Sequence, residues 1–199
     1  MNKKTYLIGS IAAALGFGVA MIHMEAAEHE GHDPHAAHEI HNVAKPPQNS
    51  TRDSHMYAER EFNFDLPGTV VKLTPYFGPV KESEWAPDWK PEFVHPEGGE
   101  QVPGAVFQTK SEWGSPVWIM DRYEPEQGKV GYVIFIHEVG VTRYDISLVQ
   151  SDPGNVHVRV WCSRTAMKGA DAKYVAQFEQ SFASQGPEWQ QAIRAILPR

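Results

Sequence analysis

At 199 residues the chain has room for one globular core and too little for two. Its net charge of −7 comes from an acidic excess in both 21–55 and 56–199, with no basic patch in either, which argues against nucleic acid as a partner. The single cysteine, Cys162, excludes an internal disulfide framework and a multi-cysteine metal site.

Lys3 and Lys4 precede an uncharged run of small and apolar residues from Thr5 to Ile22, with Gly18 and Ala20 where a signal peptidase prefers small side chains. This is the grammar of an export signal. The run is close to the shortest that spans a bilayer, so a retained inner-membrane anchor is the alternative. No cysteine follows it, which excludes lipoprotein processing. Residues 1–22 are thus read as signal or anchor, and the expected location is periplasmic or otherwise extracytoplasmic, with membrane contact through this segment only.

Residues 23–54 read as a polar linker. Within it His29, His32, His35, His38 and His41 recur at every third position. Neutral imidazoles ligate zinc, copper or nickel, and several on one tether can assemble a site without a fold. A step of three smears around an α-helix but aligns in an extended three-per-turn backbone, and Gly31 and Pro34 also disfavour a helix. The alternative is a plain spacer, which Lys45-Pro46-Pro47 continues.

From residue 55 the composition becomes that of a folded domain. Tyr57 to Leu66 is a first strand, with Phe62 and Phe64 alternating against Glu61 and Asn63. Thr69 to Val80 carries Pro75, Gly78 and Pro79 and is expected to form only short helical turns. A block with Trp85, Pro87, Trp89 and Pro91 follows, whose prolines forbid a continuous helix. Its tryptophans either line a ligand cavity or cap the end of the core. Strands over 105–110, 116–124, 129–139, 142–151 and 155–165 are separated by turn residues at hairpin intervals, which predicts an antiparallel meander. In the last, Val156, Val158, Val160 and Cys162 take one face while His157, Arg159, Trp161 and Ser163 take the other. Arg143, Asp145 and Arg159 therefore belong to a solvated outer lattice.

The chain closes on Asp171 to Leu197, where Tyr174, Val175, Phe178, Phe182, Trp189, Ile193, Ile196 and Leu197 form one helical stripe. Gly186-Pro187 interrupts the pattern, so a kinked helix or two helices end to end are expected, with a cavity-facing half before the break and an anchoring half after it. A meander with one apolar face followed by such a helix has an economical solution, in which the sheet curls around the helix.

The stretches TPYF, SEWAPDWKPEFVHP, PGAVFQT, VWIMDRYEPEQGKVGYVIF and VRVWCSRTAM, with the aromatic closing helix, resemble the START-like superfamily of helix-grip proteins. These include polyketide cyclases, aromatases, plant pollen allergens and lipid-transfer domains. The W-x-P-x-W-x-P block is similar to that of one bacterial subgroup. The resemblance spans 57–197 and implies an α+β, β-α-α-β6-α fold with a hydrophobic cavity beneath the last helix. The export signal and histidine tail are not usual attachments.

The expected function is therefore binding of a small hydrophobic or amphipathic molecule, with Trp85, Trp89, Phe107, Trp118, Tyr132, Tyr144, Phe178 and Phe182 as lining residues and no required cofactor. Fold analogy does not choose a reaction. A cyclase- or dehydratase-type enzyme is the alternative, for which Asp121, Arg122, His137 and Glu138 are the candidate acid-base groups. Metal handling by the histidine tract is the third reading. Oligomeric state is not legible in the sequence.

Overall fold

The computed structural model describes residues 56–86 and 88–198. The export segment, the tract of His29, His32, His35, His38 and His41, the linker, and Pro87 of the tryptophan block lie outside the described residues.

Seven strands form one antiparallel sheet in the order β1-β7-β6-β5-β4-β3-β2. They are β1 (Tyr57–Pro67), β2 (Glu92–His95), β3 (Val106–Gln108), β4 (Val117–Glu124), β5 (Lys129–Ile136), β6 (Gly140–Asp152) and β7 (Asn155–Ala166). The short helix α1 (Val70–Leu73) and single 3-10 turns at Thr74–Phe77 and Lys81–Glu84 follow β1, and α2 (Lys173–Ile196) closes the chain. The prolines of this stretch allow nothing longer before β2.

The meander β3 to β7 lies where turn residues and period placed it. The alternation in β7 holds as far as Cys162, with Val156, Val158, Val160 and Cys162 all buried, while Ser163, expected on the wet face, is buried too. β1 returns along the far side of β7 in unbroken register from Tyr57↔Thr165 to Pro67↔Asn155. The edge strand β2, by contrast, falls in a stretch that reads as proline-rich loop. Pro91 and Pro96 bound it and leave Glu92–His95 free to pair with β3, as proline requires of a strand it flanks.

The outer face is a charge lattice. Arg159 pairs with Glu61, Arg122 reaches Asp145 at 3.7 Å, and His157 Nδ1 lies 2.8 Å from Asp65 Oδ1. The partners face water, so each pair contributes little.

α2 is one helix of 24 residues, about 36 Å long, and it runs through Pro187. Two helices end to end are not observed, and the environment gives the reason. Proline deprives the Ala183 carbonyl of its donor, but both residues are exposed, so water satisfies that oxygen. Gly186, about 100° round the helix from Pro187, is buried, and a Cβ there would come within 3.1 Å of the Phe62 ring. Helix and β1 thus approach closely at this glycine. Phe62 packs against rings from both sides of Gly186-Pro187, Phe182 at 5.0 Å and Trp189 at 5.2 Å between centroids, so the two halves of the helix share one partner on β1.

Candidate ligand site between sheet and helix

The eight aromatic residues expected to line a cavity are all buried between the sheet and its covering elements. They gather in two groups. Near β3 to β5, Trp89 meets Trp118 at 5.1 Å and Phe107 at 5.8 Å, and Tyr132 meets Trp118 edge-on at 5.7 Å. Beneath α2, Phe178 and Phe182 lie 5.0 Å apart, and Trp189 touches both Trp85 at 5.6 Å and Tyr144 at 6.4 Å. These are favourable edge and tilted geometries.

Trp85 and Trp89 also carry hydrogen bonds that explain the tryptophan-proline block. Their indole N–H groups donate to the carbonyls of Tyr76 (2.8 Å) and Pro79 (2.7 Å). Each amphipathic ring therefore fills the core and pins the helical turns after β1. Tyr132 does the same from β5, its hydroxyl donating to the Phe77 carbonyl at 2.8 Å. Burial pushes that phenol well above its usual range, and the nearby Glu82 charge adds to the effect.

The second group contains polar atoms as well as rings. Arg164 of β7 is fully buried; its Nη1 donates to the Tyr174 carbonyl at 2.8 Å, and its guanidinium lies over the rings of Tyr174 (4.6 Å) and Phe178 (5.1 Å). Across the strands Thr142 pairs with Arg164 and Tyr144 with Cys162, so all four share the inward face. The Thr142 and Tyr174 hydroxyls are hydrogen-bonded at 2.7 Å. Burial raises the Cys162 thiol to about 12 and pushes the Tyr144 phenol well up. It also raises Tyr174, against the opposing pull of the Arg164 charge. These groups are neutral at pH 7.

Several buried polar atoms here meet no partner among the described residues: Arg164 Nε and Nη2, both amide atoms of Gln185, and Trp189 Nε1. Leaving such a group unsatisfied costs about 1–3 kcal/mol, and more when it is charged. The three atoms of Gln185 and Trp189 fall on the helical line Phe178, Phe182, Gln185, Trp189, and the two of Arg164 on the inward face of β7.

The acid-base candidates lie elsewhere. Asp121 and Arg122 are exposed at the irregularity of the β4–β5 pairing, and Arg122 turns to the outer lattice. His137 and Glu138 are exposed in the β5–β6 turn, where Glu138 takes φ of 61°. None of the four faces the interior between sheet and helix.

Arg164 and Gln185 are the interior polar residues that sequence reasoning passed over, although their signal is simple. Arg164 is the next even step after Val160 and Cys162 on the inward face of β7. Gln185 fills the missing position between Phe182 and Trp189 on the helical stripe. In both cases polarity hides a residue whose period places it inside.

No family model matches the chain, and no curated protein matches it in sequence. Solved structures do match. Ara h 8.0201 is 16% identical, with a TM-score of 0.53 over 70% of this chain and 96% of its own. Norcoclaurine synthase from Thalictrum flavum is 9% identical, with a TM-score of 0.53 over 80% of this chain and 98% of its own. The Mll3558 protein from Rhizobium loti is 12% identical, with a TM-score of 0.52 over 71% and 98%. At these identities the likeness is one of fold.

Proposed function

From the premise that this chain has the START-like helix-grip fold, we propose that it binds a small amphipathic molecule between β6, β7 and α2. The observation that carries this reading is the set of buried, unpartnered polar atoms of Arg164, Gln185 and Trp189 inside an otherwise aromatic and aliphatic shell. An apolar packing core has no use for them. A guest with an apolar body and a polar group does.

Carrier function is favoured over catalysis. Acid-base work needs a group that titrates near the working pH and faces the guest. The interior ionisable groups beside Arg164 are two phenols and a thiol, all held in the neutral form by burial. Native mass spectrometry of the full chain, purified from a host that exports it, tests the reading. An adduct released by denaturation supports it; a bare mass that stays bare after incubation with apolar acids, esters and alcohols overturns it.

The N-terminal segment supports a setting for this activity. Export rests on Lys3, Lys4 and the apolar run to Ile22, and places the domain outside the cytoplasm behind a histidine-bearing tether. Zinc, copper or nickel binding by His29, His32, His35, His38 and His41 is a separate property of that tether. Titration of the full chain against a chain beginning at Ser54 tests it, with equal stoichiometry in the two removing the idea.

A further inference from the structure

The unpartnered atoms of Arg164 are two particular ones. A guanidinium presents five N–H donors in a planar fork. Here Nη1 is engaged by the Tyr174 carbonyl, while Nε and Nη2 are not. Nε–H and the adjoining Nη2–H form one straight edge of the fork, the edge that matches both oxygens of a carboxylate. The residue is held so that this edge is left over. It lies against the rings of Tyr174 and Phe178, its third nitrogen is tied to α2, and its stem is fixed in β7 beside Cys162.

The electrical environment is equally specific. The groups around the guanidinium are Thr142 and Tyr144 from β6, Cys162 from β7, and Tyr174 and Phe178 from α2. All are uncharged at pH 7, and no ion pair joins Arg164 to a carboxylate among the described residues. A buried cation without a counter-charge is costly, and the cost is relieved only by an anion that reaches it.

We infer that Arg164 reads the carboxylate of an apolar monocarboxylic acid, bidentate through Nε and Nη2, with the apolar body of the acid lying along Phe178 and Tyr144. This rests on the binding site proposed above and specifies its ligand class. The carboxylate supplies the missing charge, and the rings exclude the water that would compete for it.

The test is displacement of the neutral apolar probe N-phenylnaphthylamine from the full chain by decanoate, methyl decanoate and decanol at pH 7.5. Decanoate is expected to bind tighter than the other two by at least about tenfold, the scale of a charge-assisted hydrogen bond. Arg164→Met should erase that difference while the probe still binds, and Arg164→Lys, which keeps the charge but not the fork, should keep only part of it. Equal binding of acid, ester and alcohol by the natural chain overturns the inference and leaves the binding site standing. So does a preference that survives Arg164→Met. If neither the probe nor any of the three binds, the binding site itself is refuted, and the inference with it. Should Arg164→Met fail to fold by circular dichroism, the order in the natural chain and in Arg164→Lys decides.

Discussion

Phe182→Ala examines the packing beneath α2 most sharply. The side chain is 5% exposed, with the Phe62 and Phe178 rings each 5.0 Å from its own. Truncation removes a ring that both neighbours lean on, and Phe→Ala at buried sites costs about 3–5 kcal/mol. The upper part of that range applies here. Phe62 cannot slide into the gap, because its other side rests on Trp189 at 5.2 Å and the helix backbone at Gly186 stands against it. With a urea m-value of about 2 kcal/mol/M, the midpoint should fall by about 2–2.5 M. The exposed Gln180→Ala on the same helix should move stability by less than about 0.5 kcal/mol. Equilibrium urea unfolding followed by tryptophan fluorescence reads both. A midpoint shift for Phe182→Ala below about 0.5 M at unchanged m-value would refute the reasoning, since the ring would then bound open space instead of filling a core.

Gly140→Ala should destabilise by about 1–3 kcal/mol, because its Cβ would stand 2.4 Å from the Thr165 carbonyl oxygen and 2.5 Å from the Tyr174 ring; a lowered Tm reads it. Cys162 should resist thiol reagents at pH 8 in the folded chain and react at once in urea, since burial raises the thiol to about 12. The same shift has a signed consequence. The folded chain holds this proton more tightly than the unfolded one, so the contribution is complete below about pH 9 and is lost as pH rises from there toward 12. Alkaline unfolding of Cys162→Ala should accordingly be less steep than that of the natural chain. Glu61→Gln should cost less than about 1 kcal/mol, because the Arg159 hydrogen bond that lowers the Glu61 carboxyl lies in water; thermal melts of the two chains compare them.

What the sequence discloses follows the reach of its periodic signals. The hairpins from β3 to β7 and the stripe on α2 announce themselves, because each buries one face over many residues. β2 does not: four residues between prolines carry too short an alternation to separate strand from loop. Continuity through Pro187 was equally hidden, since it depends on which side of the helix meets solvent, and Gly186-Pro187 looks the same on either side. The site shows the opposite failure. The eight aromatic residues are legible as interior because large rings rarely face water, whereas Arg164 and Gln185 sit at inward positions that the period predicts and their polarity disguises. Asp121, Arg122, His137 and Glu138 drew attention by residue type alone, and the pleat and the β5–β6 turn set them facing water.

The account stands on a guest lying between β6, β7 and α2, and the tryptophans report on that place directly. Of the chain's six indoles, those of Trp85, Trp89 and Trp118 donate to protein acceptors, those of Trp113 and Trp189 are buried with no partner among the described residues, and Trp161 lies on the outer face of β7. A two-dimensional ¹⁵N–¹H spectrum of the indole region during titration with decanoate should move the Trp189 signal most and leave Trp161 in place. A titration that shifts Trp161 while Trp189 stays fixed, or that moves no indole at saturating decanoate, would contradict it.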